Sequence, residues 1–263
     1  MRVAIMECPE GLVADSHAWD VIARAIHEAE PDVLVTDEMP FGMWLARTDA
    51  FDPVRAAASV AAHEAGLEAL RRLNVPVVLS SRPVNASGSG QLVNEAFALV
   101  QGSYRFAHHK HYFPAEPGWH ETSWFAPGKP GFDVVDAGAF GVGFLLCTEL
   151  FFNEWARHYG RRGACLIAAP RATGESIDAW LTAGSMAAIV SGCFVASSNR
   201  VGRVLSGPTF GGGGFAFAPD GTLIASTSAN EPVIAFDMDP ACSVEQQKRY
   251  PCYVPEIADR GHC

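Results

Sequence analysis

The sequence predicts an α/β chain built as a four-layer α-β-β-α sandwich, on three observations. Short apolar runs alternate with amphipathic, helix-patterned stretches. The alternation occurs twice, on either side of a loop-rich middle. Neither a linker nor a repeat of about 20–50 residues divides the chain, so its two strand-helix halves are read as stacking sheet on sheet with helices outside. One domain is expected over residues 1–263, with 240–263 as a C-terminal arm.

The elements follow in order. Arg2–Glu7 (RVAIME) reads as a buried strand. Ser16–Glu30 places Val21, Ile22, Ala25, Ile26 and Ala29 on one helical face behind a Ser16 cap. A strand at Asp32–Thr36, an Ala-rich helix near Pro53–Leu73 and a strand at Val75–Ser80 complete a β-α-β-α-β opening. The polar stretch NASGSG at 85–90 leads into strands Asn94–Val100 and Ser103–Ala107, joined by the Gln101-Gly102 turn. From 111 to 131 the prolines at 114, 117, 127 and 130 predict a long loop, read as an active-site wall. Beyond it, Phe132–Val135, Gly138–Leu146, Ala164–Ala168 and Cys193–Ser197 read as strands, with helices at Phe151–Gly160 and Ile177–Val190. Gly214–Ala218, Thr222–Ser226 and Val233–Asp237 follow as β segments, with Pro219-Asp220-Gly221 as a hairpin turn.

Composition narrows the function. With 263 residues, 49% hydrophobic and 18% charged, the chain can bury a large core. A net charge of -10 without a Lys/Arg stripe argues against nucleic acid as a partner. The N-terminus MRVAIMECPE lacks the apolar length of a secretory signal, and no window approaches a membrane span, so a soluble, cytoplasmic chain is expected. The cysteines at 8, 147, 165, 193, 242, 252 and 263 form no C-x-x-C pair and suit reduced thiols better than disulfides or zinc.

Three strand ends carry reactive side chains: Glu38 after DVLVT, Lys110 in HHKH after SYRFA, and Cys147 in FLLCTE. Cys147 stands just before a predicted helix N-terminus, an environment that lowers a thiol pKa. A carboxylate to take its proton and a lysine to hold an oxyanion complete the arrangement for covalent attack on a carbonyl-like carbon. The spacing of His108, His109 and His111 sends neighbours to opposite faces and completes no metal tetrahedron. Gly211–Gly214 precedes neither a Lys-Thr pair nor a helix, so it reads as a tight strand entry and not as a phosphate cradle. Arg171 suits a bidentate salt bridge to a substrate carboxylate and equally a surface or interface role. Trp119, Trp124, Phe125 and Trp155 suit either pocket wall or core.

The ordered set Glu38, Lys110 and Cys147 resembles the Glu-Lys-Cys triad of the nitrilase, or carbon–nitrogen hydrolase, superfamily. DEMPF (37–41), HHKHYFP (108–114) and GVGFLLCTELFFNEWARHYGRRGACLIAAP (141–170) are similar to its base, lysine and nucleophile segments. SSNRVG (198–203) and FGGGGFAFAPDGTLIAS (210–226) are similar to its closing segments. The loop 114–132 resembles that of N-carbamoylputrescine amidohydrolases and sets Glu121 where the family often has a second glutamate.

The resemblance implies the nitrilase-type sandwich and hydrolysis of a non-peptide C–N bond, amide or N-carbamoyl, through a thioester. Glu38 would be the base, Cys147 the nucleophile, Lys110 and the Thr148 N–H the oxyanion donors, and Glu121 an orienting acid. Trp119, Trp124 and Arg171 are the candidate substrate contacts. The resemblance further implies no metal or organic cofactor, a small amide or ureide as substrate, and at least a homodimer, with 248–260 packed on a neighbouring subunit. A true nitrilase and an inactive binding protein of the same fold are the alternatives. Glu149, where many relatives have aspartate, is a departure from the pattern.

Overall fold

The structure is a computed structural model that describes residues 1–88, 90–129, 131–204 and 207–256. Its first half runs β1 (Arg2–Met6), α1 (His17–Ala29), β2 (Val33–Val35), α2 (Pro53–Arg72), β3 (Val77–Asn85), β4 (Leu92–Val100) and β5 (Ser103–His109). The middle holds a small ribbon, β6 (Ala115–Glu116) and β7 (Trp119–His120), and the one-turn helix α3 (Glu121–Trp124). The second half runs β8 (Val135–Asp136), β9 (Gly141–Phe144), α4 (Asn153–Arg161), β10 (Ala164–Ala168), α5 (Asp178–Ser191) and β11 (Phe194–Ser197). It closes with the ribbon β12 (Val201–Arg203) and β13 (Thr209–Gly211), then β14 (Phe215–Phe217), β15 (Leu223–Ser226), β16 (Val233–Asp237) and α6 (Pro240–Gln247).

Two six-stranded sheets result, ordered β16-β1-β2-β3-β4-β5 and β15-β14-β11-β10-β9-β8. Each has three parallel strands at its centre, flanked by antiparallel ones. Strand periodicity then fixes the layers, because alternate side chains face opposite ways. Val3, Ile5, Val33, Val35 and Leu79 of the first sheet meet Val142, Phe144, Leu166 and Ala196 of the second in a shared core. The intervening Ala4, Met6, Leu34 and Val78 pack outward on Trp19, Ile22, Ile26, Leu67 and Leu70 of α1 and α2. On the far side Ile167, Val195 and Phe215 pack on Tyr159, Ala183 and Ala187 of α4 and α5. The architecture is the α-β-β-α sandwich. Among the described residues, no helix is long and apolar enough to cross a membrane.

Local chemistry sets the element ends. Ser16 caps α1 by accepting the Trp19 N–H at 3.2 Å. Asp52 caps α2 through Val54 and Arg55, with Pro53 in its first turn, where no N–H is missed. Gly221 takes φ +87 in the β14–β15 hairpin, as its turn requires.

Several boundaries differ from those the sequence predicts. β3 runs on to Asn85, past the expected end at Ser80. Pro83 is tolerated because β2 pairs only as far as Leu79, so beyond that point β3 is bonded to β4 alone. The loop 111–131 is not structureless: Pro117-Gly118 turns the β6–β7 ribbon, and α3 follows. Pro130 lies outside the described residues. The strand expected at 132–135 shrinks to β8, and the helix expected from Phe151 starts at Asn153 behind a 3₁₀ turn over Cys147–Phe151.

Over its described length the C-terminal stretch from 240 opens as a helix seated on its own chain. Asp239 caps α6, whose Ser243 and Gln247 bond the carbonyls of Cys165 and Ala164. Arg157 then holds the carbonyls of Pro251 and Val254. Residues 257–263 of the expected arm lie outside the described residues.

Candidate active site

Parallel strands deliver their following loops to one edge, and open α/β sheets bind ligands there. Glu38 follows β2, Lys110 follows β5, Cys147 follows β9, Arg171 follows β10, and Asn199-Arg200 follows β11. Hydrogen bonds stitch these loops across the seam between the sheets. The Glu38 N–H donates to Arg171 O at 3.1 Å, and Ser198 Oγ accepts the Met6 N–H at 2.9 Å and donates to Val35 O at 2.6 Å. Arg200, buried, donates to the carbonyls of Met39 and Gly42 and pairs with Glu10 at 2.5 Å, fixing the backbone beyond Glu38.

Lys110 lies between two carboxylates. Its Nζ donates to Glu38 Oε1 at 2.8 Å and to Glu121 Oε2 at 2.7 Å, and all three side chains are fully buried. Glu38 Oε2 and Glu121 Oε1 have no hydrogen-bond partner among the described residues. Asn94 Nδ2 donates to Glu38 Oε1 at 2.8 Å, while the Lys110 N–H donates to Asn94 O at 2.9 Å, so one β4 residue registers both groups. Burial alone would lower the Lys110 pKa, but the charges of Glu121, Glu38 and Cys147 hold its ammonium well above the usual lysine range. Burial raises Glu121 to about 8, Lys110 opposing and the Glu38 charge adding to the rise.

Cys147 opens the 3₁₀ turn with φ +51, a left-handed conformation that costs a non-glycine residue about 1 kcal/mol. Its N–H is tied to Pro170 O at 2.9 Å. The thiol pKa is raised, not lowered as the helix-terminus argument predicts: burial dominates, the Glu38 charge adds to it, and Lys110 only partly offsets them. The resting group is therefore a thiol that feels the charges of a carboxylate and an ammonium. Beside it, no acceptor among the described residues takes the Thr148 N–H, while Thr148 Oγ1 donates to Tyr112 O at 2.5 Å.

Cys147 and Thr148 open onto a cavity of about 390 Å³ walled by Trp119, Phe151, Trp180 and Thr173. Of the expected substrate contacts, Trp119 lines this cavity. Trp124 does not: it is fully buried against Phe51, with Nε1–H on Thr48 O at 2.7 Å. Arg171 is likewise withdrawn. Its guanidinium donates to Ser197 Oγ, Thr173 Oγ1 and Gly213 O at 2.7–3.1 Å, and lies over the rings of Phe215 and Trp180. A side chain so occupied braces the loops and is not offered to a carboxylate.

Glu149, fully buried, accepts His108 Nε2 at 2.9 Å and the N–H groups of His111 at 2.7 Å and Leu146 at 2.9 Å. His109 meets Glu95 at 3.1 Å, and His111 Nε2 lies 3.1 Å from Lys129 O. Among the described residues, no group of three or more His, Cys, Asp or Glu side chains is arranged to hold a metal ion. In the glycine run, Gly212 and Gly213 take φ +62 and +70, and a Cβ on Gly212 would sit 2.5 Å from Glu7 Oε2. Sequence reasoning missed Asn94 and Glu149 as organisers. The departure at Glu149 was the available signal for one of them; Asn94, inside a strand-like run, offered none.

A family model described as carbon-nitrogen hydrolase matches residues 2–246. The N-carbamoylputrescine amidase of Solanum tuberosum is 28% identical over 183 residues, 63% of this chain and 60% of that protein. The chain thus spans about 60% of the length of this curated relative. The Arabidopsis thaliana N-carbamoylputrescine amidase is 24% identical, covering 88% of this chain and 84% of its own. Among solved structures, a carbon–nitrogen hydrolase from Helicobacter pylori G27 superposes with a TM-score of 0.84 at 21% identity, covering 96% of this chain and 94% of its own. An amidase from Nesterenkonia sp. follows at 0.75 and 21%, covering 95% and 93%. The family match takes in the loops that carry Glu38, Lys110 and Cys147 along with both sheets, and the chain belongs to the carbon–nitrogen hydrolase family.

Proposed function

We propose that the protein hydrolyses an amide or N-carbamoyl C–N bond of a small molecule, with Cys147 as nucleophile. The observation that carries this reading is the buried Lys110 ammonium shared by Glu38 and Glu121, each with one oxygen unpartnered among the described residues, whose charges are felt by the Cys147 thiol. A fold would not bury two carboxyl groups on one ammonium for stability alone, since well-packed apolar residues do as well or better.

The chemistry follows from these positions. Glu38 takes the Cys147 proton as sulfur attacks the carbonyl carbon, so thiolate forms only as it is consumed. The oxyanion is held by Lys110 Nζ–H and the Thr148 N–H, donors already in place before charge develops. Collapse breaks the C–N bond, Glu38 returns its proton to the departing ammonia or amine, and a thioester on Cys147 remains. Glu38 then deprotonates a water that attacks the thioester, and the acid leaves as sulfur recovers a proton. Glu121 orients Lys110 and the substrate amide.

The test is a panel of amides, ureides and nitriles assayed for ammonia or amine release, with Cys147→Ala as the blank. Release from amides or ureides that vanishes in the blank is expected. Turnover of nitriles alone would move the reading to a true nitrilase. Substrate binding without turnover of any of them would make the chain a binding protein on this fold.

A further inference from the structure

Residues 42–47 and the N-terminal half of α2 enclose a second cleft, of about 290 Å³, that shares no lining residue with the nucleophile's cavity. Among its described lining residues only Arg47 and Arg55 carry charge, and both are half-buried. The rest of the wall is largely apolar, with Met43, Leu45 and Ala62.

Neither guanidinium is neutralised. Arg82, Arg157 and Arg200 each pair with a glutamate, whereas no carboxylate among the described residues lies within salt-bridge reach of Arg47 or Arg55. Arg55 makes one long contact, from Nη1 to Thr48 Oγ1 at 3.5 Å. The neighbouring Asp52 spends its carboxylate on the Val54 and Arg55 N–H groups, and Asp49 is exposed and lines no part of the cleft. Because α2 has no acidic residue in its first turn, Arg55 adds its charge to the positive end of the helix dipole. A positive cleft results, on a chain of net charge -10.

A hydroxyl completes the donor set. Ser59 is 7% exposed and lines the same cleft, yet its Oγ has no hydrogen-bond partner among the described residues. Hydroxyls on α5 bond the carbonyl one turn back, Thr182 to Asp178 O at 3.0 Å and Ser191 to Ala187 O at 2.6 Å. Ser59 forms no such bond, and a buried polar group left in that state calls for a partner.

We infer that this cleft is a second small-molecule site, one that binds a phosphate ester, with Arg47 and Arg55 taking the phosphate charge and Ser59 donating to a remaining oxygen. A phosphate monoester dianion matches the set, offering two charges to two guanidiniums and three free oxygens to two forks and a hydroxyl. A carboxylate brings one charge and two oxygens, and leaves a donor unmet. The apolar wall receives the organic part of the ester. The site stands apart from the hydrolase reading and does not depend on it.

The experiment is titration calorimetry of the whole chain at constant ionic strength, with phenyl phosphate, inorganic phosphate and acetate as probes. Both phosphates are expected to bind one site per chain with a Kd of about 1 mM or tighter, phenyl phosphate at least as well as the inorganic ion, and acetate about tenfold more weakly or worse. Arg47→Gln and Arg55→Gln should each weaken phosphate by about tenfold or more, and Ser59→Ala by about fivefold. Arg55→Lys, which keeps the charge and loses the fork, should fall between wild type and Arg55→Gln. Arg24→Gln, at an exposed arginine on α1, should leave the affinity unchanged, and so should Cys147→Ala. Thermal midpoints without ligand show that each variant is folded.

The absence of saturable heat at about 10 mM phosphate overturns the inference. So does acetate binding as tightly as phosphate, or an affinity that the glutamine variants leave unchanged. An equal loss in Arg24→Gln would reduce the effect to a diffuse charge field, and a loss in Cys147→Ala would move the ligand to the nucleophile's cavity; either result refutes the site.

Discussion

Glu149 accepts His108 Nε2 at 2.9 Å, so the strand that ends at Lys110 and the turn that begins at Cys147 hang from one buried carboxylate. The same side chain takes the Leu146 and His111 N–H groups. Glu149→Ala leaves an imidazole and two backbone donors without acceptors. The expected loss is about 3–5 kcal/mol in urea denaturation, with loss of turnover, and Glu149→Gln should fall between. Wild-type stability and kcat in the alanine variant would refute this bracing role.

Lys110→Met removes the ammonium that Glu38 and Glu121 share. Activity is expected to fall to the level of the Cys147→Ala blank. Stability should drop at pH 8 and recover toward pH 5, because without Lys110 to oppose the shift the buried Glu121 carboxyl binds its proton still more tightly in the folded state than in the unfolded one. Denaturation midpoints at the two pH values check the sign; equal losses at both would contradict it.

Glu121 is raised from the usual carboxylate value to about 8 by burial and the Glu38 charge. Its contribution to stability is therefore full below the unfolded value, near 4.5, and is lost as pH rises through about 8. Glu121→Gln imitates the protonated form and should remove that decline, so its melting curves flatten between pH 5 and 9 relative to wild type. In kcat/KM, an alkaline limb near pH 8 in wild type should be missing from the variant.

Asp37 offers the same test outside the Glu38–Lys110–Glu121 cluster. It is fully buried beside the Cys8 thiol, and burial raises it to about 7 although the Arg200 charge and a hydrogen bond from Cys8 oppose the shift. Wild type should lose stability from about pH 4 to 7 as this carboxyl ionises. Asp37→Asn should escape that loss, ending more stable than wild type at pH 8 by roughly 1–4 kcal/mol. A variant less stable than wild type at pH 8 would show that the buried charge is compensated.

Most of the sandwich was legible because strand and helix periodicities are local: α1, α2, β10 and β16 fall within a residue or two of their expected limits. What escaped depended on partners distant in sequence. β3 looks finished at Ser80 until β4 is known to pair with Arg82–Asn85. The β6–β7 ribbon is hidden among prolines, since two residues a side show no alternation. In the site, the three reactive side chains could be picked out from flanking pattern, but the direction of the Cys147 shift could not. Dipole position is local, whereas depth of burial belongs to the whole fold. Arg171 and Trp124 failed as pocket residues for the same reason: their partners Gly213 and Phe51 are set by packing.

Glu38 and Lys110 are carried by the first sheet and Cys147 by the second, so neither half owns a working set. Cleaved within the stretch before β8 and expressed as two fragments, the chain should be inert in either piece alone. Turnover would return only on reassociation, which makes hydrolysis a direct reporter of whether the layers have docked.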